Sequence, residues 1–356
     1  MKHADDYYRH KDGTPTGEPR NLRHALRFLI RKHGQCRVKE FGPIKLKEVR
    51  AEMLKDDLYR TSINKAVHRI KRVFAWGVEE EIVPAMIYQA LRAVKSLKAG
   101  RTEAREPIPV KPVDQGTVDE TLRHLSNVVG DMVRLQLLCG MRPGEVCSLR
   151  PCDVSRGIEG VWTYRPAQHK TEHLGRDRRI PIGPEGQKIL AKYFDCDPES
   201  FCFSPVESEI ERNTKRKRSR RSALTPSQLA RKAKGRAVGH RYTKDSYNRA
   251  VQRDCEQAFG MPPELREVIR FVRRQTELSK EQREDMKAAM HAEAAAWRLK
   301  YCWSPNQLRH SRATELRERY GIEVAQNVLG HSDPRTTAIY AERDFATAVR
   351  IMQEIG

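Results

Sequence analysis

The chain has 356 residues, enough for two domains with separate cores. Its 68 Lys+Arg against 47 Asp+Glu give a formal net charge of +21, with 38% hydrophobic and 32% charged residues, a polar chain but not a disordered one. Such an excess favours a polyanionic partner, nucleic acid first, with a generally basic surface as the alternative. No stretch approaches the roughly 20 apolar residues of a spanning helix, and the opening "MKHADDYYRHKDG" lacks the apolar core of a signal peptide. The expectation is a cytoplasmic, DNA-associated protein.

In chain order, "EPRNLRHALRFLIRKHG" predicts a helix, with Leu22, Leu26, Leu29 and Ile30 at helical spacing and a stop at Gly34. "RTSINKAVHRIKRVFAWGVEEEIVP" predicts another, with Ile63, Val67, Ile70, Val73, Phe74 and Val78 as its apolar stripe, ending before Pro84. His68, Arg69, Lys71 and Arg72 alternate with that stripe. The pattern suits a helix that packs on its own domain while Arg69, Lys71 and Arg72 face phosphates, and equally an ordinary amphipathic surface helix. Residues 1–100 therefore read as a helical domain. "KSLKAGRTEAREPIPVKPV" (95–113), with its glycine and prolines, reads as extended chain, and the inter-domain linker is placed at 101–113.

The second domain, 114–356, opens with a helix around "GTVDETLRHLSNVV" and a second ending in "RLQLLCG". Strand formers follow at Val161–Tyr164, and "RRIPI" reads as a returning strand after a turn at Gly175, giving a small hairpin or three-stranded sheet. The fold class is thus mainly α with a small β-sheet (α+β). Residues 207–241 are dense in cations, including Lys215, Arg216, Lys217, Arg218, Arg220 and Arg221, and read as a solvated loop able to grip a DNA backbone. The charged stretch from Glu264 to Cys302 predicts one or two exposed helices. Residues 207–297 together look like an insertion.

Four short segments carry the candidate chemistry. In "CGMRPGEVCSLR", Pro143 suits a first helical turn, which sets Arg142 at a helix N-terminus, where free N–H groups favour phosphate. Lys170 in "AQHKTEHLG" falls near the hairpin tip and, by position alone, is a solvated turn lysine. "SPNQLRHSRATELRERYG" spells an N-cap (Ser304), a first-turn proline and a capping-box Gln307, with Arg309 and His310 just inside. "GIEVAQNVLGH" is a short helix closed by Gly330, which places His331 past the cap; Asp333 and Pro334 then start a helix bearing Tyr340. The eight cysteines form no CxxC pair, and HExxH and GxxxxGK[ST] are missing, so neither a zinc site nor ATP-driven chemistry is expected. The expectation is no cofactor and no metal.

Arg142 in "GMRPGEV", Lys170 in "HKTEH", Arg309 in "LRHSRAT", His331 in "LGHS" and Tyr340 in "TTAIY", in this order, resemble the tyrosine recombinases, the phage-integrase family. The resemblance covers 114–356; the first hundred residues resemble that family's helical core-binding domain in position and character rather than in motif. It implies a C-shaped clamp around double-stranded DNA and a site-specific recombinase working through a covalent 3′-phosphotyrosine, without ATP or metal. Tyr340 is then the nucleophile, a phenol that is mostly protonated near neutral pH because its free pKa is about 10. Arg142 and Arg309 hold the phosphate, Lys170 protonates the leaving 5′-oxygen, and His331 donates a hydrogen bond or assists proton transfer. Glu145 and His310 support the site. The tail helix 343–355, with Phe345, Val349, Met352 and Ile355 on one stripe, docks either in its own domain or in a neighbouring protomer of a tetrameric synapse.

Two departures from the family stand out. Asn306 occupies the usual His or Lys position and cannot exchange protons near neutral pH. The interval from Lys170 to Arg309 is also longer than a compact member needs. Two alternatives to the recombinase are a DNA-relaxing enzyme resembling type IB topoisomerases and a DNA-binding protein that has lost catalysis, to which Asn306 alone points.

Overall fold

In a computed structural model of the chain, residues 2–10, 13–157, 160–168, 177–195, 197–233, 238–330 and 353 are described. The backbone divides into two compact units, Met1–Pro109 and Val110–Gly356.

The first unit comprises α1 (Lys2–Tyr7), α2 (Glu18–His33), α3 (Pro43–Lys55), α4 (Arg60–Glu79) and α5 (Ala85–Arg92). α2 stops at Gly34 as its sequence predicts. Its buried face, however, runs through Leu22, Ala25 and Phe28, while Ile30 is exposed. At about 100° per residue, Ile30 comes out well away from that line. α4 buries Ile63, Val67, Ile70 and Phe74, matching its stripe. Lys71 corrects the expected cationic face: it is buried, and its Nζ donates to the carbonyl of Val94 at 2.5 Å. The following chain is tied to α4 as well. Asn64 bonds both the N–H and the carbonyl of Leu97, and Arg60 donates to that same carbonyl.

The second unit begins with α6 (Gln115–Leu122), capped by Asp114, and α7 (Asn127–Cys139). Ser126 caps α7, so the helix expected around 116–129 is in fact two. After α8 (Pro143–Cys147) come β1 (Val154–Arg156), β2 (Trp162–Tyr164) and β3 (Ile180–Ile182), an antiparallel sheet in the order β1-β2-β3. Tyr164 pairs with both Val154 and Ile180. Tyr164, Ile180 and Ile182 fill the core face, the period-2 pattern of a sheet covered on one side. The described residues are thus mainly helical with one small sheet, the expected α+β class.

α9 (Pro184–Ala191), α10 (Pro205–Ser219), α11 (Pro226–Ala233), α12 (Lys244–Ala258), α13 (Pro263–Arg266), α14 (Val268–Arg273), α15 (Lys280–Tyr301) and α16 (Pro305–Leu329) complete the described helices. The expected solvated loop from 207 is largely helical. α10 starts at a Ser204 cap with Pro205 and docks on α7, where Glu211 accepts the Asn127 N–H at 2.9 Å. Within 207–297 the elements differ in their packing. α12 puts Tyr247, Val251 and Cys255 into the main core, and the Tyr247 hydroxyl donates to Gln136. α13–α15 gather around a small core of their own, Met261, Leu265 and Ala294.

Candidate active site

The site is built where α7 ends. Gly140 terminates α7, and the chain turns so that Arg142 caps α8 with Pro143 in the first turn. Glu145 folds back onto this cap: its carboxylate accepts the Arg142 N–H at 2.8 Å and Arg142 Nη1 at 2.7 Å. Arg178, just before β3, donates Nε to the same carboxylate at 3.3 Å. Glu145 and Arg178 are each only 4% exposed. Burial raises the Glu145 carboxyl, but the Arg178 and Arg142 guanidiniums outweigh it and hold the group below its ordinary value. One carboxylate neutralises only one of these two guanidiniums. The cluster therefore keeps a net positive charge at a helix N-terminus, a setting that attracts an anion.

Arg309, fully buried on the second turn of α16, ties the segments together. Its Nη1 donates to the Gly140 carbonyl at 2.6 Å and its Nη2 to the Leu329 carbonyl at 2.8 Å. The first contact reaches the turn that presents Arg142. The second reaches the end of α16, beside Gly330. The Ser304 cap and its Gln307 partner start α16 as predicted, with the Ser304 N–H donating to Gln307 at 2.9 Å. The two helices expected on either side of Gly321 meet there in a break, at φ +83°. Asn306 lies 3.5 Å from the Nε2 of buried His310.

Gly330, at φ +65°, lies against Arg178: a Cβ there would come within 2.1 Å of Arg178 Nη1. A cleft of about 350 Å3 opens at this point, lined by Asp177, Arg178, Arg179, Asn327 and Gly330. The structure thus brings Arg142, Glu145 and Arg178 into contact and links Arg309 to both ends of the site. Lys170, His331, Tyr340 and, apart from residue 353, the expected tail helix 343–355 lie outside the described residues. Arg178 was not singled out from the sequence. Its signal there is parity, since Arg178, Ile180 and Ile182 alternate onto one face.

The cations expected to touch DNA fare differently. Arg69 donates to Glu18 through Nε and Nη2, both at 2.9 Å, and Arg72 also bonds Glu18. The Arg69 hydrogen bonds are the main reason the Glu18 carboxyl falls to about 2. Lys215 pairs with Glu211 at 2.7 Å. Arg216, Lys217, Arg218, Arg220 and Arg221 are exposed, and among the described residues none has a carboxylate partner. At the C-terminal turn of α10 such cations also suit the helix dipole.

The model of the phage integrase family matches residues 121–347, a range holding every candidate catalytic residue. Among solved structures, the chain is similar to the Tn1549 transposon integrase in complex with transposon right end DNA, at 14% identity and TM-score 0.57, covering 97% of this chain and 96% of that one. A lambda integrase dimer bound to a COC′ core site matches at 11% identity and TM-score 0.58, over 94% and 91%. The XerH site-specific recombinase bound to its difH substrate matches at 14% and TM-score 0.51, over 94% and 78%. No curated protein matches in sequence.

Proposed function

The chain belongs to the phage integrase family, a class of tyrosine-type site-specific recombinases, and on that premise we propose that it cuts and rejoins double-stranded DNA through Tyr340. The observation that supports this most is the double tie of Arg309. One side chain holds both the turn before Arg142 and the helix end that leads to His331 and Tyr340. Arg309 is thereby tied to the turn that carries Arg142, far from it in sequence.

The proposed chemistry follows from the residue types. The Tyr340 hydroxyl releases its proton to solvent as its oxygen attacks phosphorus, the bond to the 5′-oxygen breaks, and Lys170 supplies the proton that the leaving oxygen takes up. Arg142 and Arg309 stabilise the charge that develops on the pentacoordinate phosphate. His331 donates a hydrogen bond to a phosphate oxygen. Asn306 can donate there too but carries no titrating proton. The phosphotyrosine retains the energy of the broken bond, so a 5′-hydroxyl of another strand reverses the step without ATP. In this reading Arg178 touches no substrate; it positions Glu145, which in turn positions Arg142.

The test is a nicked duplex that loses a short strand on cleavage, drawn from repeats flanking the protein's own gene. Wild type is expected to leave a denaturation-resistant protein–DNA adduct, and Tyr340→Phe to leave none while still binding. Binding without an adduct by wild type would leave the catalytically impaired reading instead. An adduct from Tyr340→Phe would remove Tyr340 as the nucleophile.

A further inference from the structure

Away from the candidate active site, α13, α14 and α15 line a cleft of about 540 Å3. Its cations are Arg266, Arg270, Arg273, Arg274 and Arg298, beside His291 and set against the single carboxylate of Glu267. Two of the arginines are engaged. Arg270 pairs with Glu267 at 2.8 Å, and Arg298 with Glu256 of α12 at 2.6 Å. Among the described residues, the guanidiniums of Arg266, Arg273 and Arg274 have no ion-pair or hydrogen-bond partner. These three stand within one cleft, over a layer whose own core is small. Like charges so gathered repel one another, and the one carboxylate in the cleft, Glu267, is already paired with Arg270. An external anion would offset that repulsion.

The form of the cleft selects the kind of anion. Leu265, Val268 and Ile269 form its apolar lining, while Arg266, Arg270, Arg273, Arg274 and His291 are all exposed around an open rim. A small ligand is typically enclosed over roughly 70–90% of its surface. Forks displayed at an open rim instead match an extended run of phosphates, which arginine pairs with two N–H groups at a time. The Arg298–Glu256 pair anchors α15 to α12, and α12 belongs to the core that carries the candidate active site. We propose that the α13–α15 layer is a second DNA clamp, gripping the phosphodiester backbone through Arg266, Arg273 and Arg274, separately from Arg142 and Arg309. The proposal rests on the reading of the chain as an enzyme of duplex DNA.

The test compares the full chain with R266A/R273A/R274A and R266K/R273K/R274K, binding a mixed-sequence duplex across a salt series. For the alanine variant, the plot of log affinity against log salt is expected to flatten by about 0.9 for each arginine engaged. Its affinity at the lowest salt is expected to fall at least tenfold, while the lysine variant keeps most of the slope. Wild-type slope and affinity in the alanine variant would overturn the clamp. Equal loss in both variants, with lowered melting temperatures, would mark a folding role and overturn it too. Saturable binding of a nucleoside monophosphate at matched ionic strength, lost in the alanine variant, would replace the backbone with a nucleotide pocket. The adduct assay reads the parent function independently. At saturating protein the alanine variant still forms the adduct, whereas absence of adduct from wild type sinks the recombinase reading and leaves the salt slopes to stand alone.

Discussion

Glu145 is asked to hold two guanidiniums with one carboxylate at 4% exposure. Removing its charge leaves Arg178 buried against a neutral amide, and breaking a buried pair from one side typically costs about 3–5 kcal/mol. Glu145→Gln is therefore expected to lower the denaturant midpoint by the equivalent of about 3 kcal/mol near neutral pH. Its folded carboxyl lies below the ordinary 4.5, so its stabilisation is complete above pH 4.5 and lost as pH falls through the lowered value. The gap between wild type and variant should accordingly close in acid. An equal gap at pH 7 and pH 3 would refute the ion-pair account. The places of Arg142, Glu145, Asn306, Arg309 and His310 on their helices were legible because caps and a first-turn proline fix where each helix starts. Arg178 was not. The run "RDRR" has the composition of a solvated turn, and only its parity with Ile180 and Ile182 shows that one of these arginines points inward.

Helices with clean stripes and caps, such as α4 and α16, were readable as elements, whereas α12 was not. Tyr247, Ala250, Val251 and Cys255 recur at helical spacing but lie within charged residues, next to the cation-dense 207–241. Composition over that wide window outweighs a narrow apolar stripe, so a core helix is passed over inside the stretch 207–297 that looks like an insertion. Packing also decides which cations of an element are available. Lys71→Met on α4 removes a buried ammonium and leaves the Val94 carbonyl without its donor, and burial already lowers the Lys71 pKa. This change is expected to alter the unfolding midpoint and leave the salt dependence of DNA binding intact. Arg216→Ala with Arg218→Ala, at the exposed end of α10, is expected to do the reverse. A flattened salt slope for Lys71→Met would return that residue to the DNA surface. At the far end of α16, Gly330→Ala forces a left-handed residue, at roughly 1–2 kcal/mol, and drives a methyl into Arg178. A lowered melting temperature together with weaker adduct formation is expected, because the same displacement disturbs Glu145.

Across the whole molecule, the 68 Lys+Arg overstate what DNA can meet. Much of the basic surface is neutralised within the chain: Arg69 and Arg72 by Glu18, Arg150 by Asp153 and Glu199, Lys192 by Asp131. Exposed pairs of this kind contribute little stability, but they remove cations from the set that displaces counterions. Outside the candidate active site, two clusters of exposed cations without carboxylate partners among the described residues were considered above. One is Arg216, Lys217, Arg218, Arg220 and Arg221 at the end of α10; the other is Arg266, Arg273 and Arg274 in the cleft of α13–α15. If those eight carry the non-specific contact with a duplex, counterion release of about 0.9 per phosphate gives a log–log salt slope near −7. If the full net charge were engaged, the slope would approach about −19. Titration of a mixed-sequence duplex between low and moderate salt measures this directly. A slope near −7 that flattens in separate steps when each group is neutralised ties binding to these two patches. A slope near −19, or one indifferent to both groups, would place the DNA contact elsewhere on the molecule.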